Sequence, residues 1–333
     1  MRRTASVTLA AFGAAGLWVS PLGWSEAGYA LALWLGAAGL WQAERRLLLL
    51  ACLLGVLTLG ARVAAVHGRQ DVRMVRLGEG GEAVSSWFGS MLPEAGPTIA
   101  MGQLLTWAGH FDRDPEPDLA AILRAAYGRM RRQAGTVGTP APATYLGQQA
   151  PAGHDTVIIE ATEPTREAVI FLHGYAGNFT VYCWHFALAV RHRATVYCPS
   201  TGPAGRWWKP RGERIVRSTI AHARSQGAER VFLAGLSNGA IGVGRLARSM
   251  RGELSGLVLL SGSPSSTPPQ GLPVLVVHGR SDPMTPVRLA RRYAKRAGKR
   301  ATYHELEGGH FIALSRHRRV RDLVRDWFDA RRE

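Results

Sequence analysis

Residues 230–239 read RVFLAGLSNG, and this stretch decides which fold the sequence predicts. An apolar run leads into Gly235, Ser237 follows two positions later, and Gly239 opens a segment with helical character. Small residues on both sides of the serine suit a tight strand-to-helix turn, because backbone segments pass there without meeting a Cβ atom. The N–H groups of the following helix favour negative charge at the turn. The pattern predicts that Ser237 is a nucleophile, with an ordinary turn serine as the alternative.

From residue 154 onward, short apolar runs alternate with helical stretches. Near-continuous apolar strands separated by helices indicate a doubly wound, mostly parallel sheet that is covered on both faces. Ligands of such sheets bind at the carboxyl ends of the strands, so functional residues should follow strands directly. Strands are predicted at residues 156–161, 168–173, 194–199, 230–235, 256–262, 273–278 and 301–306. Helices are predicted at residues 180–192, 213–226, 238–250, 286–297 and 315–331.

Two polar residues downstream of Ser237 follow predicted strands. Asp282 comes after the strand at 273–278, and His310 comes after the strand at 301–306. A serine hydroxyl needs a base within hydrogen-bonding distance, and that base needs an orienting acid. Taken singly, Asp282 is better explained as a helix cap, and His310 as a surface histidine. The order Ser, Asp, His at successive strand ends is the one that this geometry requires, so the three predict a catalytic triad.

An oxyanion site is predicted within residues 168–178, AVIFLHGYAGN, where a strand is followed by His-Gly. The tetrahedral intermediates of acyl transfer need preorganised N–H donors. Gly174 would let the backbone turn so that the N–H of Tyr175 faces Ser237, and the N–H of Asn238 would be the second donor.

Four nearby side chains receive other interpretations. His173 is assigned a structural role, because the base is already supplied downstream of the acid. Trp207, Trp208 and Phe179 are candidates for the wall of an acyl pocket. Aromatic residues that follow a strand lie more often in the core, and this is the favoured alternative.

Residues about 155–331 resemble the α/β-hydrolase superfamily. The motifs that carry the resemblance are His173-Gly174, Gly235-Leu236-Ser237-Asn238-Gly239, His278-Gly279 with Asp282, and Gly309-His310. They are specific to the superfamily but not to one member. The resemblance implies an eight-stranded, mostly parallel sheet and acyl transfer to water without a cofactor or a metal. Many relatives insert a lid where this chain has only residues 263–272, so an open site is expected.

The resemblance assigns the nucleophile to Ser237, the acid to Asp282, the base to His310 and the oxyanion donors to Tyr175 and Asn238. It implies a serine hydrolase that cleaves a carboxylic ester through an acyl-enzyme. A serine peptidase or an acyl-thioesterase with the same triad is one alternative, and a non-catalytic binding domain at the membrane is another. The expected partners are a small-molecule or lipid-like acyl substrate and the membrane. The sequence does not set the oligomeric state.

Residues 1–66 have the composition of a membrane region. Three apolar segments, at residues 4–21, 27–42 and 47–66, approach or reach the roughly 20 residues that a membrane-spanning helix needs. The distribution of arginines around them predicts a cytoplasmic N-terminus, three spans and an extracytoplasmic catalytic domain. A cleaved signal peptide and a buried helical hairpin are the alternatives.

The predicted domain plan has three parts. Residues 1–66 form membrane-spanning helices, residues 67–153 form a helical segment and linker, and residues 154–333 form the catalytic domain. Within the middle part, a helix is predicted at 119–132 after the acidic, proline-containing cluster 114–118, and residues 136–151 read as a linker.

The chain has a formal net charge of +17, carried almost entirely by scattered arginines. No nucleic-acid-binding motif accompanies this charge, so no nucleic-acid partner is predicted. Cys52 lies in an apolar segment and is interpreted as a small hydrophobic residue. Cys183 and Cys198 either pair in an oxidising compartment or remain two buried thiols, and the second interpretation is favoured.

Overall fold

A computed structural model describes residues 4–11, 23–69, 71–78, 81–85 and 87–331. The strands in this part of the chain are β1 (Val72–Gly78), β2 (Gly81–Val84), β3 (His154–Ile159), β4 (Glu167–Leu172), β5 (Ala194–Pro199), β6 (Arg230–Leu236), β7 (Gly256–Leu260), β8 (Val274–Gly279) and β9 (Ala301–Leu306). From residue 23 onward the α-helices are α1 (Trp24–Gln42), α2 (Arg45–His67), α3 (Trp87–Met91), α4 (Ala95–Trp107), α5 (Leu119–Ala134), α6 (Ala141–Tyr145), α7 (Thr180–Val190), α8 (Pro210–Ser225), α9 (Asn238–Leu246), α10 (Val287–Ala297), α11 (Ile312–Ser315) and α12 (His317–Asp329). Residues 4–11 are also helical.

The strands of the described residues form one sheet in the order β2-β1-β3-β5-β4-β6-β7-β8-β9. The strands from β5 to β9 in this order pair in parallel, whereas β3, β1 and β2 pair antiparallel at one edge. The prediction of a mostly parallel sheet is therefore confirmed. The motifs that follow β4, β6, β8 and β9 all lie at the carboxyl ends of parallel strands.

Alternating residues of each central strand pack into two separate hydrophobic clusters, one on each face of the sheet. In β6, Phe232 and Ala234 face the cluster that contains α7 and α12, whereas Val231 and Leu233 face the cluster that contains α8, α9 and α10. Side chains of a strand point alternately to opposite faces, so a strand buried on both faces must be apolar throughout. This is why the central strands are continuous apolar runs in the sequence.

In the described chain the β1–β2 hairpin adds two strands to the seven from β3 to β9, which gives nine strands where the resemblance implied eight. This hairpin lies within residues 67–153, for which only a helical segment and a linker were predicted. Its sequence did not indicate strands because arginines interrupt the apolar alternation. Arg73 pairs with Glu82 and Glu160, and Arg76 pairs with Asp155 of β3. Charged residues are common at the edge of a sheet.

Helices α1 and α2 form an antiparallel hairpin. Among the described residues, α2 alone is long and apolar enough to cross a membrane, with a mean hydropathy of 2.3 over its most apolar window. The predicted first segment is helical at residues 4–11, and the rest of it lies outside the described residues. The prediction of three membrane spans, and the extracytoplasmic topology based on it, is not supported by these helices.

Cys183 of α7 and Cys198 of β5 form a disulfide bond. The favoured interpretation of two free thiols is therefore wrong. The helix that follows β4 returns across the neighbouring strand β5, and this brings the two Cα atoms to 6.1 Å, a normal distance for a disulfide. Sequence spacing alone does not show how a helix is placed on a sheet.

Candidate active site

The side chains of Ser237, His310 and Asp282 form one hydrogen-bonded row. Nε2 of His310 lies 3.0 Å from Oγ of Ser237, and Nδ1 of His310 lies 2.8 Å from Oδ2 of Asp282. All three residues are buried, with exposed fractions of 6–8%. The structure thus brings together the three residues that the sequence predicted as a triad, although they are separated by up to 73 positions.

Ser237 lies on the turn between β6 and α9 with φ 54° and ψ −120°. A non-glycine residue with positive φ is strained, at a cost on the order of 1–3 kcal/mol, and persists only where its surroundings impose it. Here the turn is imposed by close packing. A Cβ atom at Gly239 would lie 1.9 Å from the carbonyl oxygen of Leu172, and one at Gly262 would lie 2.4 Å from the carbonyl oxygen of Ser237. No sequence motif indicated that Gly262 makes room for the serine turn, and only the structure shows it.

Asp282 is held by its own turn. Its Oδ1 accepts hydrogen bonds from the backbone N–H groups of Met284 and Thr285, at 2.8 and 2.9 Å. The hydroxyl of Thr285 lies 2.6 Å from Oδ2 of Asp282. Burial alone would raise the pKa of Asp282, but hydrogen bonding and charge from His310, with the bonds from Thr285, hold it below its ordinary value. The carboxylate is therefore ionised and orients the imidazole.

Two further buried histidines lie near this row. His278 Nε2 donates to the carbonyl oxygen of Thr285 at 2.7 Å, and burial lowers its pKa. His173 has a pKa lowered to about 4 by burial, so it is neutral. Its Nε2 accepts the N–H of Thr201, and its Nδ1 lies 2.8 Å from the carbonyl oxygen of Gly174. These contacts hold the loop after β4 and match the structural role predicted for His173.

The loop after β4 passes directly beside Ser237. A Cβ atom at Gly174 would lie 3.1 Å from Cβ of Ser237, so a side chain there would crowd the nucleophile. Tyr175 follows in this loop with its side chain exposed. Asn238 is the first residue of α9, where backbone N–H groups have no acceptor within the helix. Asn238 thus directly follows the serine and Tyr175 directly follows Gly174, and the donor function of both stays a prediction.

Glu94 supports the same loop from a distance in sequence. Its buried carboxylate accepts the N–H groups of Thr180 and Val181, at 2.8 and 3.2 Å, and therefore caps α7, the helix that follows the loop. It also contacts the hydroxyls of Tyr127 and Thr139. Burial raises the pKa of Glu94. No sequence motif marked this residue, because its partners lie on separate segments.

Asp114 is the second residue that the motifs did not reveal. Its Oδ2 accepts the backbone N–H of His310 at 2.7 Å. The sequence placed it in an acidic cluster at a helix start, and Asp118 of that cluster does cap α5 through the N–H of Ala121. Asp114 instead reaches the catalytic histidine candidate.

Two of the three aromatic candidates pack in the core, which is the interpretation that the sequence favoured. Trp207 is completely buried and its Nε1 donates to the carbonyl oxygen of His173, so it belongs to the core. Phe179 packs against the cluster under α7. Trp208 is half-buried beneath the guanidinium of Arg245. Within the described residues no group of three or more His, Cys, Asp or Glu is placed to hold a metal ion.

The fold is that of an α/β hydrolase, and the resemblance to this superfamily is supported by a family model that matches part of the chain. The family model described as TAP-like protein matches residues 261–332, which carry Asp282 and His310. No curated protein matches the chain.

Several solved structures are similar to about half of the chain. One is an α/β serine hydrolase without a lid from Xanthomonas campestris, with 18% identity over 53% of this chain and 88% of that one and a TM-score of 0.42. A thermophilic esterase from Thermogutta terrifontis has 13% identity over 55% and 96% of the two chains, with a TM-score of 0.45. A monoacylglycerol lipase from Paleococcus ferrophilus has 18% identity over 51% of this chain and 98% of that one, with a TM-score of 0.42.

Proposed function

We propose that the protein is a membrane-anchored serine hydrolase that cleaves a carboxylic ester through an acyl-enzyme. The observation that carries this proposal is the hydrogen-bonded row from Ser237 Oγ through His310 to Asp282 Oδ2, with its serine on the strained turn after β6. A buried, oriented imidazole beside a hydroxyl is the arrangement that makes serine nucleophilic. A serine held only for structure does not need this geometry.

In the proposed mechanism, Oγ of Ser237 attacks the ester carbonyl carbon while Nε2 of His310 takes its proton. Asp282 holds the Nδ1–H tautomer and stabilises the imidazolium. The N–H groups of Tyr175 and Asn238 stabilise the oxyanion. The C–O bond to the leaving group then breaks, and Nε2–H protonates the alcohol. Water attacks the acyl-enzyme, His310 takes its proton, and the serine oxygen leaves with that proton to regenerate the site.

An apolar acyl group is supported by the surface around the serine. Two exposed residues lie close in sequence to the site. Tyr175 is in the loop that passes beside Ser237, and Met284 is in the turn after Asp282. The hydroxyl of Tyr145 donates to the carbonyl oxygen of Ala176, so exposed Tyr145 and Leu146 lie beside the same loop. Exposed apolar groups that border a polar site favour a substrate with an apolar portion.

Membrane anchoring is supported by α2, of which 11% of the most apolar window is buried against the rest of the chain. An apolar helix that leaves most of its surface uncovered is unfavourable in water and suits a bilayer. The disulfide between Cys183 and Cys198 favours an oxidising compartment for the catalytic domain. We therefore place the domain outside the cytoplasm.

The test is made on the full chain in detergent micelles. We expect a fluorophosphonate probe to label the wild type and Ser237→Ala to abolish both labelling and hydrolysis of an activated ester, because the probe reacts only with an activated serine. Ser225→Ala is the matched control, since this exposed hydroxyl contacts only the carbonyl oxygen of His222. Failure of the wild type to react would contradict the proposal and favour a non-catalytic binding domain.

A substrate panel tests the bond that is cleaved. The proposal expects esters of apolar acids to give a higher kcat/KM than matched thioesters and peptide amides. A preference for either of the other two bonds would identify a thioesterase or a peptidase with the same triad. It would leave the role of Ser237 intact and refute the ester assignment.

A further inference from the structure

The backbone of His310 is held by a carboxylate from outside the predicted catalytic domain. Asp114 Oδ2 accepts the N–H of His310 at 2.7 Å, and Asp114 Oδ1 accepts the N–H of Glu116 at 3.0 Å. Asp114 is buried, with 3% of its surface exposed. Hydrogen bonds to a buried carboxylate are charge-assisted and stronger than bonds between neutral groups. Both oxygens of Asp114 are thus used to join two backbone segments.

The neighbouring glycine makes room for this carboxylate. A Cβ atom at Gly309 would lie 2.0 Å from Oδ1 of Asp114 and 2.3 Å from its Cγ. Gly309 does not adopt the left-handed conformation, so its backbone is open to any residue. The side chain of Asp114 is therefore the nearest group that a larger residue at position 309 would meet.

Two more contacts align the same segments. The rings of Phe111 and Phe311 meet edge to face with centroids 5.2 Å apart. Arg316 pairs with Glu116 at 2.8 Å. With the bond to Asp114, these contacts join residues 111–116 to His310 and to the residues that follow it, up to Arg316. The loop that carries the base is thus supported by a segment for which only a helix start was predicted.

We propose that Asp114 is a positioning residue for His310: its carboxylate holds the backbone of the base so that Nε2 stays within hydrogen-bonding distance of Ser237. Asp114 does not contact the reacting atoms, so it acts through His310. A small misplacement of a catalytic group costs up to about 100-fold in rate. This inference rests on the proposed function, because it concerns how that triad is held.

The experiment compares Asp114 with Asp118. Asp118 lies in the same cluster and also accepts one backbone N–H, at 2.9 Å, but it is exposed and has no contact with His310. We expect Asp114→Ala to lower kcat roughly 10- to 100-fold at unchanged KM. The rate of fluorophosphonate labelling should fall in parallel. Asp114→Asn keeps one acceptor oxygen and should recover part of the loss, whereas Asp118→Ala should leave kcat within about twofold of wild type.

A double variant gives an independent measure. Gly309→Ala alone should lower kcat, because the added methyl group meets the Asp114 carboxylate. The Asp114→Ala variant lacks the three atoms nearest to this methyl group, so in that background Gly309→Ala should add little further loss. Simple multiplication of the two effects would contradict the proposal, because contacting residues are expected to couple.

Two readouts keep this proposal separate from the proposed function and from misfolding. Thermal unfolding shows whether each variant is folded, and Asp114→Asn replaces Asp114→Ala if the latter is not. The low-field proton resonance of the His310 Nδ1–H bonded to Asp282 reports the position of the base without turnover. We expect this resonance in the wild type and its loss or broadening in Asp114→Ala. An unchanged resonance together with unchanged kcat would overturn the positioning role, even if the substrate assignment proved wrong.

Discussion

The hydroxyl of Thr285 lies 2.6 Å from Oδ2 of Asp282, the same oxygen that contacts Nδ1 of His310. Thr285 Oγ1 also lies 2.8 Å from the carbonyl oxygen of Ser261. A hydroxyl has one proton to donate and both of these oxygens are acceptors, so Thr285 bonds one of them at a time. Its bond to Oδ2 helps to orient Asp282. The orientation of Asp282 therefore depends on a residue of its own turn.

Removal of the Thr285 hydroxyl should weaken the support that holds Asp282 in its orientation. We expect Thr285→Val to lower kcat/KM about tenfold, which corresponds to about 1.4 kcal/mol and is typical of a hydrogen bond to a charged group. Thr285→Ser keeps the hydroxyl and is the matched control. Steady-state kinetics on an activated ester measure both variants. Equal activity of the valine and serine variants would show that the backbone N–H donors suffice to orient Asp282.

Acid should destabilise the protein before its carboxylates titrate. Burial lowers the pKa of His154 to about 4, compared with about 6.5 for an unfolded histidine. Between these values the unfolded state binds a proton that the folded state does not, so stability falls as the pH falls through this window. Each such histidine contributes a slope of up to about 1.4 kcal/mol per pH unit.

This dependence is measured by replacing His154, which contacts Thr219 at 3.2 Å away from the triad. We expect His154→Gln to make the fall in unfolding free energy between about pH 6.5 and pH 4 less steep, in denaturant titrations at several pH values. The variant should be compared with wild type at pH 7 first, to separate any loss of packing. An identical slope in both proteins would contradict the lowered pKa.

The disulfide should contribute to stability. Cys183 and Cys198 are 15 positions apart, and closing a loop of this length in the unfolded chain stabilises the folded state by about 3 kcal/mol in the chain-entropy model. We expect the Cys183→Ser, Cys198→Ser double variant to lose about this amount in denaturant unfolding. Alkylation of the denatured wild type should modify Cys52 without a reductant, and Cys183 and Cys198 only after reduction. Modification of Cys183 or Cys198 without a reductant would show that the bond is absent.

The turn that carries Ser237 should not accept a methyl group at Gly239. A Cβ atom at Gly239 would meet the carbonyl oxygen of Leu172 at 1.9 Å, and the backbone there cannot move without displacing the serine. We expect Gly239→Ala to cost about 3 kcal/mol of stability and to abolish labelling of Ser237. Gly252→Ala, where nothing lies within 4 Å, is the control and should behave as wild type. Normal labelling of Gly239→Ala would exclude the close approach.

The sequence by itself determined the parallel core of the sheet and the order of the triad. Both are local properties, because a buried strand must be apolar along its length and a serine turn needs small neighbours such as Gly235 and Gly239. The parallel arrangement then places the ends of β6, β8 and β9 at one edge, so chain order is enough to predict that Ser237, Asp282 and His310 meet.

Only the tertiary structure decided which distant groups hold these residues. Asp114 and His310 are 196 positions apart, and an acidic residue before a helix has the same local pattern whether it caps that helix or reaches another loop. For the same reason the β1–β2 hairpin was not predicted, and the Cys183–Cys198 disulfide was only the less favoured of two alternatives. Their partners are set by how helices and edge strands are placed on the sheet, and that placement is a property of packing across the whole domain.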